Sequence, residues 1–122
     1  MFEQFVVFEG QLADKGLGLD LIFVDDGSSD SSYAALLDIK KRRPDTKLIK
    51  LTRNFGAVRA ARTGLRHAEG DALAILAADL QDSLEKLAEM VECWQEGAKF
   101  IICVRSERHD PLLSRAFAAL YY

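Results

Sequence analysis

Short apolar runs alternate with longer amphipathic stretches along the whole chain, and this alternation limits the fold more than any other feature. The apolar runs predict strands over residues 19–26, 47–52, 71–78 and 100–104. The amphipathic stretches predict helices over residues 2–15, 31–43, 56–68, 83–96 and 111–122. Because strands that alternate with helices form βαβ units, we expect an α/β fold with a mostly parallel sheet and helices on both faces.

The composition is that of one compact domain, which we place at residues 1–122. Of the 122 residues, 49% are hydrophobic, which is enough for a buried core. The formal net charge of −3 argues against a protein that binds nucleic acid in general, and no apolar run approaches the roughly 20 residues of a membrane span.

Cys93 and Cys103 lie among apolar residues without metal-ligand spacing, so we expect reduced thiols in the core. The basic run KKRR predicts a solvated helix C-terminus. Together these features predict a cytoplasmic protein.

Two adjacent carboxylates end the first predicted strand, in the segment IFVDDGSSD. Asp25 and Asp26 are followed by Gly27, which permits a sharp turn, and one of the polar residues after it can cap the next helix. Adjacent carboxylates repel each other and are costly to bury, so we expect a ligand or cationic groups to compensate them. An aspartate at a strand end can accept hydrogen bonds from a ribose hydroxyl or a nucleobase N–H.

The second predicted strand leads into LTRNFG, whose polar residues are expected to lie beside the aspartate pair. Open α/β sheets bind ligands at the carboxyl ends of their strands, so Arg53 and Asn54 would face the same site. Gly56 opens the helix that follows. An arginine fork near a helix N-terminus suits either a phosphate group or a neighbouring carboxylate, and the sequence leaves both possibilities open.

The last two predicted strands end in groups that suit a diphosphate. AADLQDS places Asp79, Gln81 and Asp82 after the third strand, and such oxygen ligands suit Mg²⁺ or Mn²⁺, although Asp82 could equally cap the next helix. VRSER places Arg105 and Arg108 after the fourth strand, where guanidinium groups could neutralise the charge of a leaving diphosphate.

With these segments in view, the chain resembles inverting GT-A glycosyltransferases of family 2, and among them those that transfer sugars to polyprenyl or dolichyl phosphates. IFVDDGSSD, LTRNFG, AADLQDS and VRSER occur in the order and at the spacing of that family. The resemblance implies a Rossmann-like nucleotide-diphospho-sugar transferase fold. It also implies a nucleotide-diphospho-sugar donor, a lipid-phosphate acceptor and a divalent cation, Mg²⁺ or Mn²⁺.

The resemblance also implies roles for the candidate residues. The nucleotide pocket would contain Asp25, Asp26, Gly27, Arg53, Asn54 and Gly56, and the second carboxylate of the pair would recognise the base. Asp79 and Gln81 would hold the metal, and Asp79, Arg105 and Arg108 would form the catalytic set. Where the family has its first metal-binding aspartate this chain has Ala77, which removes one ligand.

The chain departs from the family pattern at both ends. Family members begin with a strand that carries a Pro-x-Tyr-Asn-Glu type motif, whereas Met1 opens what the pattern predicts to be the following helix. We therefore expect a sheet that lacks its first strand, with exposed apolar surface that is compensated by self-association into a homo-oligomer or by a rearranged N-terminus. FAALYY resembles the start of the segment that leads to the family's membrane helices, which implies a parent protein associated with the cytoplasmic face of a membrane.

Two other functions are compatible with parts of the pattern. A phospho-accepting receiver domain has a similar length and strand-end carboxylates, but it needs a lysine where Arg105 stands. A glycosyltransferase-like remnant that binds nucleotide or a protein partner without catalysis is favoured by Ala77 and by the missing first strand.

Overall fold

A computed structural model describes residues 2–77 and 84–103. In chain order its elements are α1 (Phe2–Asp14), β1 (Ile22–Asp25), α2 (Ser32–Arg42), β2 (Lys47–Lys50), α3 (Ala57–Leu65) and α4 (Leu84–Gln95). Each of them lies within a predicted element of the same type, which confirms the α/β class. In these two ranges no helix has the length and apolar character needed to cross a membrane.

The two strands form a parallel pair, as predicted. Ile22 lies opposite Lys47, and Asp25 lies opposite Lys50. Two parallel strands need a crossover connection, and here α2 supplies it and packs against both strands. The unit therefore brings the carboxyl ends of β1 and β2 to the same edge of the sheet.

Helices cover both faces of this sheet. The ring of Phe5 in α1 meets the ring of Phe23 edge to face, with centroids 6.4 Å apart and planes at 83°. Gly64 of α3 approaches Val24 so closely that a β-carbon at Gly64 would lie 3.3 Å from Cγ2 of Val24. Because successive strand residues point to opposite faces, α1 and α3 pack on different sides of β1.

A second packing centre joins α1 to α4. Phe8 and Leu12, one turn apart on α1, are buried together with Leu87 of α4. At the edge of this cluster Nζ of Lys15 lies 2.8 Å from Oε1 of Glu92, which links the end of α1 to α4. The described core is thus divided between the sheet and this helix pair.

The two later predicted strands do not form in the described part of the chain. Residues 71–77 and 100–103 contain no strand, and Leu73 and Ile75 are 53% and 62% exposed, while Phe100 is also exposed. A strand needs backbone partners as well as apolar side chains, and apolar content alone predicted these two. The prediction is therefore wrong for these residues. The other residues of the two predicted strands, and the predicted helix over 111–122, lie outside the described residues.

The prediction of core cysteines is also wrong. Cys93 and Cys103 are free thiols, as expected, but both are exposed. The inward face of α4 is formed by residues such as Leu87 and Val91, which leaves Cys93 outside it. Cys103 follows the apolar segment that does not form a strand.

The basic run KKRR ends α2, but two of its side chains are not simply solvated. The Arg43 side chain is 15% exposed, and its Nη2 donates to Oε1 of Glu9 at 2.5 Å and to the carbonyl oxygen of Leu19. Nζ of Lys40 donates to the carbonyl oxygen of Thr46 at 2.6 Å. The expectation of a solvated terminus is wrong at Lys40 and Arg43, because they tie α2 to α1 and to the turn before β2.

Candidate nucleotide-binding site

The loops that follow β1 and β2 are in direct contact at Gly27. Its φ is +71°, and a β-carbon there would lie 2.4 Å from the carbonyl carbon of Arg53 and 2.7 Å from the nitrogen of Asn54. A residue with a side chain meets both the unfavourable backbone angle and the neighbouring backbone, so this position requires glycine. The structure therefore brings together the first two predicted strand ends.

Asp26 connects the first loop to the second. Its Oδ1 accepts a hydrogen bond from the Phe55 N–H, and its Oδ2 accepts one from the Gly56 N–H, each at 2.8 Å. Gly56 precedes α3 with φ +92°, so the carboxylate holds the chain where that helix begins. Each carboxylate oxygen has capacity for a further donor, so recognition of a base by Asp26 stays a prediction. Sequence reasoning placed the two loops side by side but missed these two hydrogen bonds from the second loop to Asp26.

The carboxylate of Asp25 uses only part of its hydrogen-bonding capacity within the described residues. The residue is only 4% exposed, and its Oδ1 accepts a hydrogen bond from the Ser28 N–H at 3.3 Å. Its Oδ2 is buried and has no hydrogen-bond partner among the described residues. A buried acceptor without a donor costs about 1–3 kcal/mol, and more if it is charged. This oxygen therefore has an unmet hydrogen-bonding requirement within residues 2–77 and 84–103.

The second loop carries an exposed arginine whose guanidinium lies over an aromatic ring of the same loop. The Arg53 guanidinium carbon lies 4.8 Å from the ring centroid of Phe55. Within residues 2–77 and 84–103, Arg53 forms no ion pair, so the structural arginine–carboxylate pair that the sequence left open is not formed there. Oδ1 of Asn54 accepts a hydrogen bond from the Gly56 N–H at 3.0 Å, which supports the same turn as Asp26.

The start of α2 is held by Asp30, one of the polar residues after Gly27. Oδ1 of Asp30 accepts a hydrogen bond from the Ser32 N–H at 2.9 Å. Hydrogen bonding from Ser32 lowers the pKa of the Asp30 carboxyl, because a donor favours the ionised form. The N-cap residue itself is Ser31, whose side chain makes no capping hydrogen bond, so Asp30 supports the first turn from the position before the cap.

The predicted metal and diphosphate groups lie outside the described residues, namely Asp79, Gln81, Asp82, Arg105 and Arg108. Ala77, where the family pattern has an aspartate, is described and exposed, and it offers no side-chain ligand. In the described ranges no group of three histidine, cysteine or acidic side chains is arranged to hold a metal ion. The carboxylate and amide oxygens of Asp79 and Gln81 are chemically suited to a hard divalent cation.

A βαβ unit with one buried and one half-buried carboxylate and an exposed arginine at the carboxyl ends of its strands has the form of a nucleotide-binding domain. Residues 8–117 match the family model described as Glycosyl transferase family 2. The chain therefore belongs to glycosyltransferase family 2, whose members are transferases with the GT-A fold. This membership confirms the family expected from the motifs and excludes the receiver domain.

Several curated proteins are similar to the chain over most of its length. It is 38% identical over 104 residues to the uncharacterized glycosyltransferase YkcC of Bacillus subtilis. This match covers 84% of this chain and 32% of that protein. It is 35% identical over 109 residues to the prophage bactoprenol glucosyl transferase homolog of Escherichia coli, covering 88% of this chain and 36% of that protein. It is 35% identical over 105 residues to the bactoprenol glucosyl transferase of Shigella phage SfV, covering 85% and 34%. The chain thus spans about a third of the length of these relatives.

Proposed function

We propose that this chain is the donor-binding domain, over residues 1–122, of an enzyme that transfers a sugar from a nucleotide diphosphate to a polyprenyl phosphate. The observation that carries the proposal is the buried Oδ2 of Asp25, which has no hydrogen-bond partner in residues 2–77 and 84–103 and belongs to the strand end where the two loops meet. The polyprenyl acceptor is inferred from the relatives named bactoprenol glucosyl transferases.

The nucleoside half of the donor would bind between the loops after β1 and β2. Asp25 and Asp26 would accept hydrogen bonds from base N–H groups or ribose hydroxyls, since both carboxylates keep acceptor capacity. Arg53, Asn54 and Gly56 would lie on the diphosphate side, where the guanidinium can pair with phosphate oxygens. Gly27 would allow the close contact between the loops that shapes this pocket.

In the transfer step, an oxygen of the acceptor phosphate attacks the anomeric carbon of the sugar. The bond from that carbon to the donor diphosphate breaks, its electron pair leaves with the nucleoside diphosphate, and the configuration inverts. The acceptor phosphate is largely ionised at neutral pH, with a second pKa of about 6, so no dedicated base is required. The main task is then to neutralise the leaving diphosphate, which we assign to Arg105 and Arg108.

A divalent cation would be held by Asp79 and Gln81, with Mg²⁺ or Mn²⁺ as the candidates. When bound, such an ion supplies positive charge that stabilises the diphosphate leaving group. Ala77 contributes no ligand, so Asp79 is the only carboxylate at the Asp-X-Asp position. Replacing Asp79 should therefore abolish metal-dependent donor binding.

We further propose that the parent protein is associated with the cytoplasmic face of a membrane, where its lipid acceptor lies, and that the chain forms a homo-oligomer. Self-association is supported by the exposed apolar side chains of Leu73, Ile75, Phe100 and Ile102. Size-exclusion chromatography with light scattering over a range of protein concentrations tests it. A monomer at every concentration would contradict it.

Calorimetric titration of UDP, UDP-glucose and GDP-mannose, with and without Mn²⁺, tests the proposed site. Asp25→Asn removes the charge of the buried Asp25 carboxylate. Asp20→Asn is the matched control, because Asp20 is an exposed aspartate before the amino end of the same strand. We expect one nucleotide to bind the native chain and Asp20→Asn with equal affinity. It should bind Asp25→Asn at least about tenfold more weakly, because that variant loses a charge-assisted hydrogen bond.

Asp79→Ala separates the metal from the nucleoside pocket in the same experiment. Loss of the Mn²⁺ dependence with retained binding of the free nucleotide would support both assignments. Equal binding by the native chain and Asp25→Asn would overturn the placement of the donor. Nucleotide binding without sugar transfer by the full-length parent would favour the non-catalytic remnant, for which the exposed Ala77 is the specific observation.

A further inference from the structure

Three arginines lie on the exposed side of α3 and at its C-cap. Arg59, Arg62 and Arg66 are spaced three and four residues apart, so they lie on one side of the helix. All three are exposed, and with Thr63 they line one surface groove. From residue 53 to residue 68 the sequence contains four arginines and no aspartate or glutamate.

These three arginines have no carboxylate partner within residues 2–77 and 84–103. The first carboxylate after the helix, Glu69, is already engaged by Lys47 at 2.9 Å, and that hydrogen bond lowers the pKa of the Glu69 carboxyl. In the basic run that ends α2, by contrast, carboxylates pair with Lys41, Arg42 and Arg43. Like charges at helical spacing destabilise a helix, so an external anion would relieve a cost that the described chain does not offset.

Apolar side chains border the arginines on the same exposed side. Val58 is 83% exposed, and Leu65 is exposed as well, whereas Ala60 is buried and Gly64 packs on β1. A short apolar border beside a basic stripe is typical of helices that lie in the interface of an anionic membrane. A nucleic acid would use the arginines but would gain little from Val58 or Leu65.

We propose that this surface, the arginine face (Val58, Arg59, Arg62, Leu65 and Arg66), lies against anionic phospholipid headgroups. The guanidinium groups pair with lipid phosphates, while Val58 and Leu65 reach the boundary with the acyl chains. The arginine face is separate from the aspartate pair and does not depend on sugar transfer. It orients the domain by contact with the lipid surface itself rather than with the acceptor molecule.

Co-sedimentation of the whole 122-residue chain with lipid vesicles tests the proposal. The vesicles contain phosphatidylcholine with or without phosphatidylglycerol, and they contain no polyprenyl phosphate and no nucleotide sugar. The test variant is Arg59→Gln/Arg62→Gln/Arg66→Gln. The control variant, Lys41→Gln/Lys86→Gln/Lys99→Gln, makes the same change in net charge at exposed positions outside the arginine face.

We expect binding to anionic vesicles that weakens with salt and is absent with phosphatidylcholine alone. Each basic residue near an anionic surface strengthens binding about fivefold, so the test variant should bind about a hundredfold more weakly while the control changes far less. Val58→Ser should also bind more weakly but with an unchanged salt dependence, because it removes apolar contact and no charge. Circular dichroism checks that the variants keep their helix content.

Three results would overturn the proposal. The first is no preference of the native chain for anionic vesicles, and the second is an equal loss in the test and control variants, which would reflect net charge alone. The third is binding of a labelled oligonucleotide that anionic vesicles do not displace, which would assign the arginine face to nucleic acid. Because the assay contains no donor, failure here leaves the proposed transferase function to its own experiment.

Discussion

Two regions of the molecule were predicted in the same way, as strands that end in polar residues, yet they differ in structure. The first is β1 and β2 with the loops that follow them, and the second is the pair of apolar segments at residues 71–77 and 100–103. At the first region two strands pair, and Gly27 and Asp26 fix the loops to each other. At the second region the apolar side chains are exposed and no strand forms in the described residues. Hydrophobic runs of similar length therefore do not lead to the same structure.

The difference lies in backbone partners. β1 obtains its hydrogen bonds from β2, and the N–H of Leu51 extends the pairing by donating to the carbonyl oxygen of Asp25 at 2.9 Å. The loops then gain hydrogen bonds to carboxylates, which apolar runs cannot provide. Substitutions in the two regions should therefore differ sharply in their effect on the free energy of unfolding.

Gly27→Ala should have the largest effect. The new β-carbon would meet the backbone of Arg53 at 2.4 Å, and alanine is disfavoured at φ +71°. We expect a loss of about 3 kcal/mol or more in the free energy of unfolding, measured by urea denaturation. Gly18→Ala is the control, because a β-carbon there meets nothing within 4 Å. Equal stability of the two variants would show that the loops are not in contact in solution.

Asp26→Ala should have the next largest effect. It leaves the N–H groups of Phe55 and Gly56 without the carboxylate that now accepts from both. We expect a loss of about 2 kcal/mol and faster hydrogen exchange, mainly at Phe55, because the Gly56 N–H keeps Oδ1 of Asn54 as an acceptor. Asp20→Ala, at an exposed position, should leave both quantities unchanged. Unaltered exchange at Phe55 and Gly56 in Asp26→Ala would argue against the connection between the loops.

Asp30→Asn should have a smaller effect that depends on pH. The hydrogen bond from Ser32 lowers the pKa of the Asp30 carboxyl in the folded chain, so its contribution to stability is present above its ordinary pKa of 3.8 and disappears as the pH falls through the lowered value. Urea midpoints of the native chain and Asp30→Asn should therefore differ at neutral pH and converge in acid. A difference in urea midpoint that grows in acid would show that folding raises the pKa of Asp30 rather than lowering it.

Ile75→Ser should have the smallest effect. Ile75 is 62% exposed, so we expect a change within about 0.5 kcal/mol in urea denaturation. Ile49→Ser is the matched variant in β2, where the side chain is partly buried, and we expect it to cost about 1–3 kcal/mol. If the two substitutions cost the same, the segment at residues 71–77 is packed in solution and the two regions do not differ as described.

The six described elements could be predicted from periodicity, because each packs an apolar side against a neighbour. The meeting of the loops at Gly27 was also predictable, since strand ends in a parallel sheet share one edge. Three features could not be predicted: the division of roles between Asp25 and Asp26, the burial of Arg43 and the exposure of Cys93. Each depends on which atom of another element lies within hydrogen-bond distance or on which side of a helix faces inward, and a linear pattern does not contain that information.

Oδ2 of Asp25, which has no hydrogen-bond partner among the described residues, implies that the proposed function is gained at the expense of stability. A protein that keeps a buried acceptor without a donor is less stable when empty than it could be. Selection of random variants for heat resistance alone should therefore enrich uncharged replacements at Asp25, and those variants should lose the proposed nucleotide affinity. A nucleotide that binds the folded chain as proposed would raise its melting temperature, so thermal unfolding offers a practical screen for the proposed ligand.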